Sequence, residues 1–107
     1  MAELNSATAT AEVTVTDEDG HPVVSIEGEL DLSTTEVVRA AVDEVLVRQP
    51  GRVVFDLGRL AFMDSSGIAL LVRVAQRVPD VELRNPSQIV RRLIELTGLA
   101  ETLRIFP

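Results

Sequence analysis

Between Arg52 and Val78 the chain changes its hydrophobic period, and that change narrows its possible folds more than any other feature. Val53-Val54-Phe55-Asp56-Leu57 is nearly continuous apolar sequence, the pattern of a strand covered on both faces. Ile68, Ala69, Leu70, Leu71, Val72, Val74 and Ala75 follow as an apolar run suited to a buried helix, predicted over Ser66 to Arg77. A predicted loop, Gly58 to Met63, and the polar tetrapeptide Asp64-Ser65-Ser66-Gly67 separate the two. A buried strand that feeds a buried helix is the repeating unit of α/β folds.

The rest of the chain repeats the alternation. Ala11 to Thr16 and Pro22 to Glu27 read as strands around the turn Asp17-Glu18-Asp19-Gly20-His21-Pro22, which makes a hairpin. Gly28-Glu29-Leu30-Asp31-Leu32 reads as a break. Ser33, Thr34 and Thr35 offer helix caps, and Glu36 three residues after Ser33 completes a capping box. Val37, Val38, Ala41, Val42, Val45 and Leu46 recur at helical spacing up to Pro50-Gly51. Val81 to Arg84 is a short strand. Ser87 caps a third helix with Ile89, Val90, Leu93 and Ile94 inward and Gly98 at its end. Leu103 to Phe106 is a last strand. The predicted order β-β-α-β-α-β-α-β describes a single α/β domain over residues 11–107. Its mixed β-sheet is opened by a β-hairpin and packed with α-helices, and the helix-linked strands run parallel. Residues 1–10 are expected to be a disordered leader.

Composition removes whole classes of chemistry. All ten basic residues are arginine and there is no cysteine, so a lysine-dependent phosphate loop, a Schiff base, a thiol nucleophile and a thiolate metal site are all excluded. The one histidine, His21, lies in the hairpin turn and reads as a solvated turn residue without catalytic neighbours. Seventeen acids against ten bases, a net charge of −7, argue against a nucleic-acid surface, which needs a basic stripe. No apolar stretch approaches the roughly 20 residues of a membrane span, and the N-terminus lacks a signal-peptide pattern. A cytoplasmic protein is the simplest expectation.

Asp31, Asp56 and Asp64 each lie at or near the end of a predicted strand, where α/β sheets gather their sites. Three carboxylates there invite a magnesium reading similar to a response-regulator receiver. That pattern also needs paired acids after the first strand and a lysine near the last, and this chain has neither. The plain reading of Asp56 is a strand-end residue bonded to local backbone. The serines of Asp64-Ser65-Ser66-Gly67 read as a helix cap or as a phosphoacceptor. No G-x-S-x-G elbow supports a hydrolytic nucleophile. A phosphoacceptor needs no base of its own, since an external kinase supplies it.

Four segments now combine in order: Gly28-Glu29-Leu30-Asp31; Val54 to Leu57 followed by Phe62-Met63-Asp64-Ser65-Ser66-Gly67-Ile68; Asn85-Pro86-Ser87; and Arg91 to Leu99, with Thr97-Gly98-Leu99. The ordered set, over about residues 11–106, resembles the bacterial STAS-domain anti-sigma factor antagonists, or anti-anti-sigma factors. The resemblance implies a binding protein rather than an enzyme, with no cofactor or metal. In such a protein the unphosphorylated form binds an anti-sigma factor that is also a GHKL-type serine kinase, which frees a sigma factor in a stress response. Phosphorylation at the first serine of the motif, here Ser65, abolishes binding, and a phosphatase acting on phospho-Ser65 resets the switch. By the same resemblance Asp31 is the partner-contacting acid. Glu29, Leu30, Ser33, Asp64, Ser66 and Gly67 line the same surface, with Ser66 as the structural cap. A monomer or weak dimer fits this role. The competing expectations are a non-switching STAS scaffold in a signalling complex or transporter, and a small metal enzyme built on the three aspartates.

Overall fold

The computed structural model describes residues 10–99 and 103–106. The expected leader lies outside the described residues, apart from Thr10. The elements are β1 (Ala11–Glu18), β2 (His21–Leu30), α1 (Thr35–Val47), β3 (Arg52–Met63), α2 (Ser65–Arg77), β4 (Asp80–Arg84), α3 (Gln88–Leu96) and β5 (Arg104–Phe106). They form one sheet in the spatial order β1-β2-β3-β4-β5. β1 and β2 are antiparallel and the other neighbours are parallel, so the α/β order and the mixed sheet are those expected.

Each crossover steps one strand in the same direction, which places its helix on the same side of the sheet as the others. The core reflects this. Val38 and Val42 of α1, Leu71 and Val74 of α2, and Val90 and Ile94 of α3 join one cluster with Val24, Ile26, Phe55, Leu57 and Leu83. Strand alternation aims the other residues at the opposite face. There Glu82, only 4% exposed, is paired with Arg52 and bonded by Arg84 at 2.6 Å, with Arg104 at 3.7 Å. Burial alone would raise the Glu82 pKa, but hydrogen bonds from Arg84 and Arg52 outweigh it and hold the carboxyl below its ordinary value. Val23 and Val54 are buried on this face outside the main cluster, in register with Glu82. The apolar centre of β3 therefore meets the helix layer on one side and a charged network on the other.

Several boundaries depart from the pattern-based expectation. The hairpin turn is only Asp19-Gly20, with φ of 53° and 84°, the pair of positive values that a two-residue type I′ turn requires. His21 is thus not a turn residue but the first residue of β2, opposite Glu18. Gly28 does not break β2. At φ +107° it carries the strand through a register shift, and Glu29 donates its N–H to Thr10 O at 2.8 Å. A Cβ on Gly28 would lie 2.3 Å from Thr10 O, so this bulge needs glycine. Gly58 to Met63 is not a loop either, because Arg59, Leu60, Phe62 and Met63 keep pairing with β2. Val37 and Ile89, expected inside, are exposed on the outer sides of α1 and α3. Ser87 and Gly98 act as expected: Ser87 Oγ accepts the Val90 N–H at 3.2 Å, and Gly98 follows α3 at φ +78°. Among the described residues no helix is long and apolar enough to cross a membrane.

Candidate functional site

The parallel pairing of β2 and β3 continues to Leu30 opposite Met63, so both strands end at the same level. Asp64 donates its N–H to Leu30 O at 3.1 Å, which joins the two exits. The loops that begin at Asp31 and Asp64 thus sit side by side at the carboxyl end of the sheet, although 33 positions separate them in the chain.

The first loop is held by short side chains bonding nearby backbone. Asp31 Oδ1 accepts the Ser33 N–H at 2.9 Å, the Ser33 hydroxyl at 2.7 Å and the Thr34 N–H at 3.2 Å. The Thr34 hydroxyl, buried, donates to Glu29 O at 2.8 Å and accepts the Asp31 N–H at 3.0 Å. The capping box expected at Ser33 and Glu36 therefore does not form. The Asp31 carboxylate takes the Ser33 donors, α1 starts at Thr35, and Glu36 pairs instead with Arg39 at 3.5 Å. With its backbone committed on both sides, Leu32 stands out from the loop, 81% exposed.

The second loop is the N-terminus of α2. Its cap is Asp64 rather than Ser66: Asp64 Oδ1 accepts the Ser66 N–H at 2.8 Å and the Ser66 hydroxyl at 2.5 Å. The Asp64 pKa lies below the ordinary aspartate value. The Ser66 hydroxyl is the main cause, burial opposes it, and N–H groups of Ser66, Gly67 and Leu32 add to it. Thr35 Oγ1 lies 3.2 Å from Ser66 Oγ and links the first loop to the second. Ser66 is thus fully engaged. Ser65, one residue earlier, is exposed, and its hydroxyl makes no hydrogen bond among the described residues.

Gly67 is buried where α2 meets the strand ends. A Cβ there would fall 2.6 Å from Met63 Cγ and 3.0 Å from Leu30 Cγ, so glycine lets the helix N-terminus sit directly on β2 and β3. Leu30 is fully buried beneath it. These two expected surface residues therefore support the surface without forming it. Glu29, Asp31, Ser33, Asp64, Ser65 and Ser66 are at least partly exposed there.

Asp56 is elsewhere. It lies within β3, opposite Ser25 and Arg84, and accepts the Gly58 N–H at 3.0 Å. It is not a strand-end residue, because β3 runs on to Met63. The three aspartates do not converge, and among the described residues no group of three His, Cys, Asp or Glu could hold a metal ion. Pattern reading treated Thr34 and Thr35 only as caps. A threonine three residues after Asp31 is a detectable Asx/ST-turn signal, whereas the Thr35–Ser66 contact has no local signature.

The site offers an exposed hydroxyl at a helix N-terminus, beside a carboxylate held below its ordinary pKa, and that hydroxyl has no hydrogen-bond partner among the described residues. That arrangement leaves the Ser65 hydroxyl accessible from solvent. The positive end of the α2 dipole favours an added anion there.

Comparison with known proteins identifies relatives of the chain and of its fold. The sequence family described as Mlab, STAS domain, matches residues 13–105. The anti-sigma-F factor antagonist RsfB of Mycobacterium tuberculosis is 35% identical over 106 residues, covering 94% of this chain and 85% of that protein. An anti-sigma F factor antagonist of Paenibacillus polymyxa is 32% identical over 89 residues, 78% of this chain and 76% of that protein. The crystal structure of an anti-sigma factor antagonist from Mycobacterium paratuberculosis superposes with a TM-score of 0.86 at 30% identity, covering 91% of this chain and 86% of that one. On the matched residues, the relatives and the shared fold, the chain belongs to the STAS-domain anti-sigma factor antagonist family.

Proposed function

We propose that this chain is an anti-sigma factor antagonist worked by a phosphoserine switch, acting in the cytoplasm. Its unphosphorylated form binds an anti-sigma factor that is also a serine kinase, and so frees a sigma factor. Phosphorylation at Ser65 ends the binding, and a phosphatase acting on phospho-Ser65 restores it. Glu29, Asp31, Ser33, Asp64 and Ser66 form the docking surface, over Leu30 and Gly67. The antagonist role is supported by the relatives, which are named as anti-sigma factor antagonists. One observation carries the choice of residue: Ser66 is bonded to Asp64 and Thr35, while the neighbouring Ser65 hydroxyl is exposed and unengaged.

The physics of the switch follows from charge. A phosphate adds about −1.5 to −2 units. It would arrive next to Asp64, whose lowered pKa keeps it ionised at neutral pH. Like charge misplaced in a docked interface costs several kcal/mol, and each 1.4 kcal/mol is about tenfold in affinity.

The test is incubation with the purified anti-sigma kinase and ATP, followed by site mapping with mass spectrometry. Phosphate on Ser65 supports the switch, and phosphate on Ser66 or on no serine of the motif refutes it. A chain that binds its partner but is never phosphorylated would be a non-switching scaffold.

A further inference from the structure

Leu32 is the most exposed large apolar side chain among the described residues, and it stands inside the proposed docking surface. The loop holds it there. The two N–H groups that follow it, of Ser33 and Thr34, are bonded to Asp31 Oδ1, and the Thr34 hydroxyl donates to Glu29 O. Turning Leu32 inward would break the bonds that hold this loop. A second exposed apolar residue, Phe62, 45% exposed, emerges from β3 two positions before Asp64 and opposite Glu29. Glu29 lies opposite Phe62 in the sheet, Asp31 precedes Leu32, and Asp64 follows Phe62 by two residues. An exposed apolar side chain on a hydrogen-bonded loop, with acidic residues beside it, has the anatomy of an interface anchor: a desolvated centre with a polar rim.

We propose that Leu32 is the apolar anchor of the docking surface, inserted into an apolar pocket of the anti-sigma partner that is rimmed by cationic side chains. This rests on the reading of the surface given above. The acidic residues select a basic rim and speed encounter, while Leu32 supplies contact that charge alone does not. The same placement links the anchor to the switch. The loops of Asp31 and Asp64 leave β2 and β3 at one level, joined by the Asp64 N–H to Leu30 O bond, so a phosphate on Ser65 falls at the edge of the same patch. A partner that must seat Leu32 in an apolar pocket would have to bury that phosphate nearby.

The experiment titrates the purified anti-sigma kinase encoded in the same genome into wild type, Leu32→Ala, Leu32→Met and Asp31→Asn, by calorimetry at two salt concentrations. Leu32→Ala should bind about tenfold or more weakly, with unchanged thermal stability and the same salt dependence as wild type. Leu32→Met should stay within about threefold of wild type, and Asp31→Asn should weaken binding most at low salt. Wild-type affinity in Leu32→Ala would overturn the anchor while leaving the antagonist reading intact. So would a loss of affinity matched by a loss of thermal stability. So would a Leu32→Ala defect confined to self-association, seen by sedimentation, which would make the patch a contact between copies of this chain. No binding by wild type would overturn the antagonist reading, and the anchor with it.

Discussion

Thr35 Oγ1 and Ser66 Oγ lie 3.2 Å apart and join the first turns of α1 and α2. Their protons define the direction of the link. Ser66 donates to Asp64 Oδ1, which leaves its lone pairs free to accept. The single Thr35 proton is shared between that oxygen and the carbonyl of Asp31, 2.5 Å away. Neither residue has a sequence neighbour that foretells the contact.

This link should be measurable as a coupling. Thr35→Val keeps shape and removes the donor, and should destabilise the fold by about 0.5–1.5 kcal/mol in urea denaturation. In a cycle with Ser66→Ala the double variant should lose less than the sum of the singles, by about 0.5 kcal/mol or more. Strict additivity would show that the contact has no energetic weight.

Asp64→Ala removes the α2 cap. The expected loss is about 0.5–2 kcal/mol of stability. Asp64→Asn keeps an acceptor for the Ser66 N–H and should lose less. Equal losses in the two variants would assign the effect to charge instead of capping.

Gly67→Ala tests the close approach of α2 to the sheet. Alanine favours the helix by about 1 kcal/mol, but the added methyl meets Met63 and Leu30 inside contact distance. Overpacking of this kind costs about 1–3 kcal/mol, so a net destabilisation of roughly 1 kcal/mol is expected in the melting profile. Gly67→Val should be worse.

Acid should weaken the fold through Glu82 and Asp64. Both have folded pKa values below their ordinary ones, so the unfolded chain binds more protons in acid. Their stabilisation is complete above the ordinary values of 4.5 and 3.8, and is lost as pH falls through the lower folded values. The urea midpoint should therefore drop below about pH 4.5. Glu82→Gln should flatten that acid limb and remove roughly 1.5–3 kcal/mol at neutral pH, the worth of hydrogen bonds to a charged group. An unchanged acid limb in this variant would shift the cause to other carboxylates.

Ser65→Asp should weaken binding of the anti-sigma kinase by about a hundredfold, the result of roughly 2.8 kcal/mol of misplaced charge. Ser65→Ala should bind like wild type and resist phosphorylation. Calorimetry with each variant, before and after ATP, separates these outcomes.

The fold was legible because its signals are local. Period changes mark the order of elements, Ser87 and Gly98 bracket α3, and Asp19-Gly20 marks the turn. Boundaries were misread where a long-range partner overrides a local breaker. Gly28 and Gly58 look like strand ends, yet β2 and β3 pair through them, since backbone groups satisfied by a neighbouring strand outweigh glycine's preference for disorder. Ser33 looks like a capping box until the Asp31 carboxylate takes its donors first.

The sequence by itself determined the alternation of strands and helices, the absence of lysine and cysteine chemistry, and the tetrapeptide that marks the site. Only the tertiary structure decided which residues of that tetrapeptide are free. Parallel pairing of β2 with β3 brings Asp31 and Asp64 to one level, Asp64 takes the cap, Ser66 is held between Asp64 and Thr35, and Ser65 is left exposed. The physical reason is that a hydroxyl's availability depends on which donors and acceptors surround it. Here one partner of Ser66 is its near neighbour Asp64, and the other, Thr35, comes from the first turn of α1, 31 positions away.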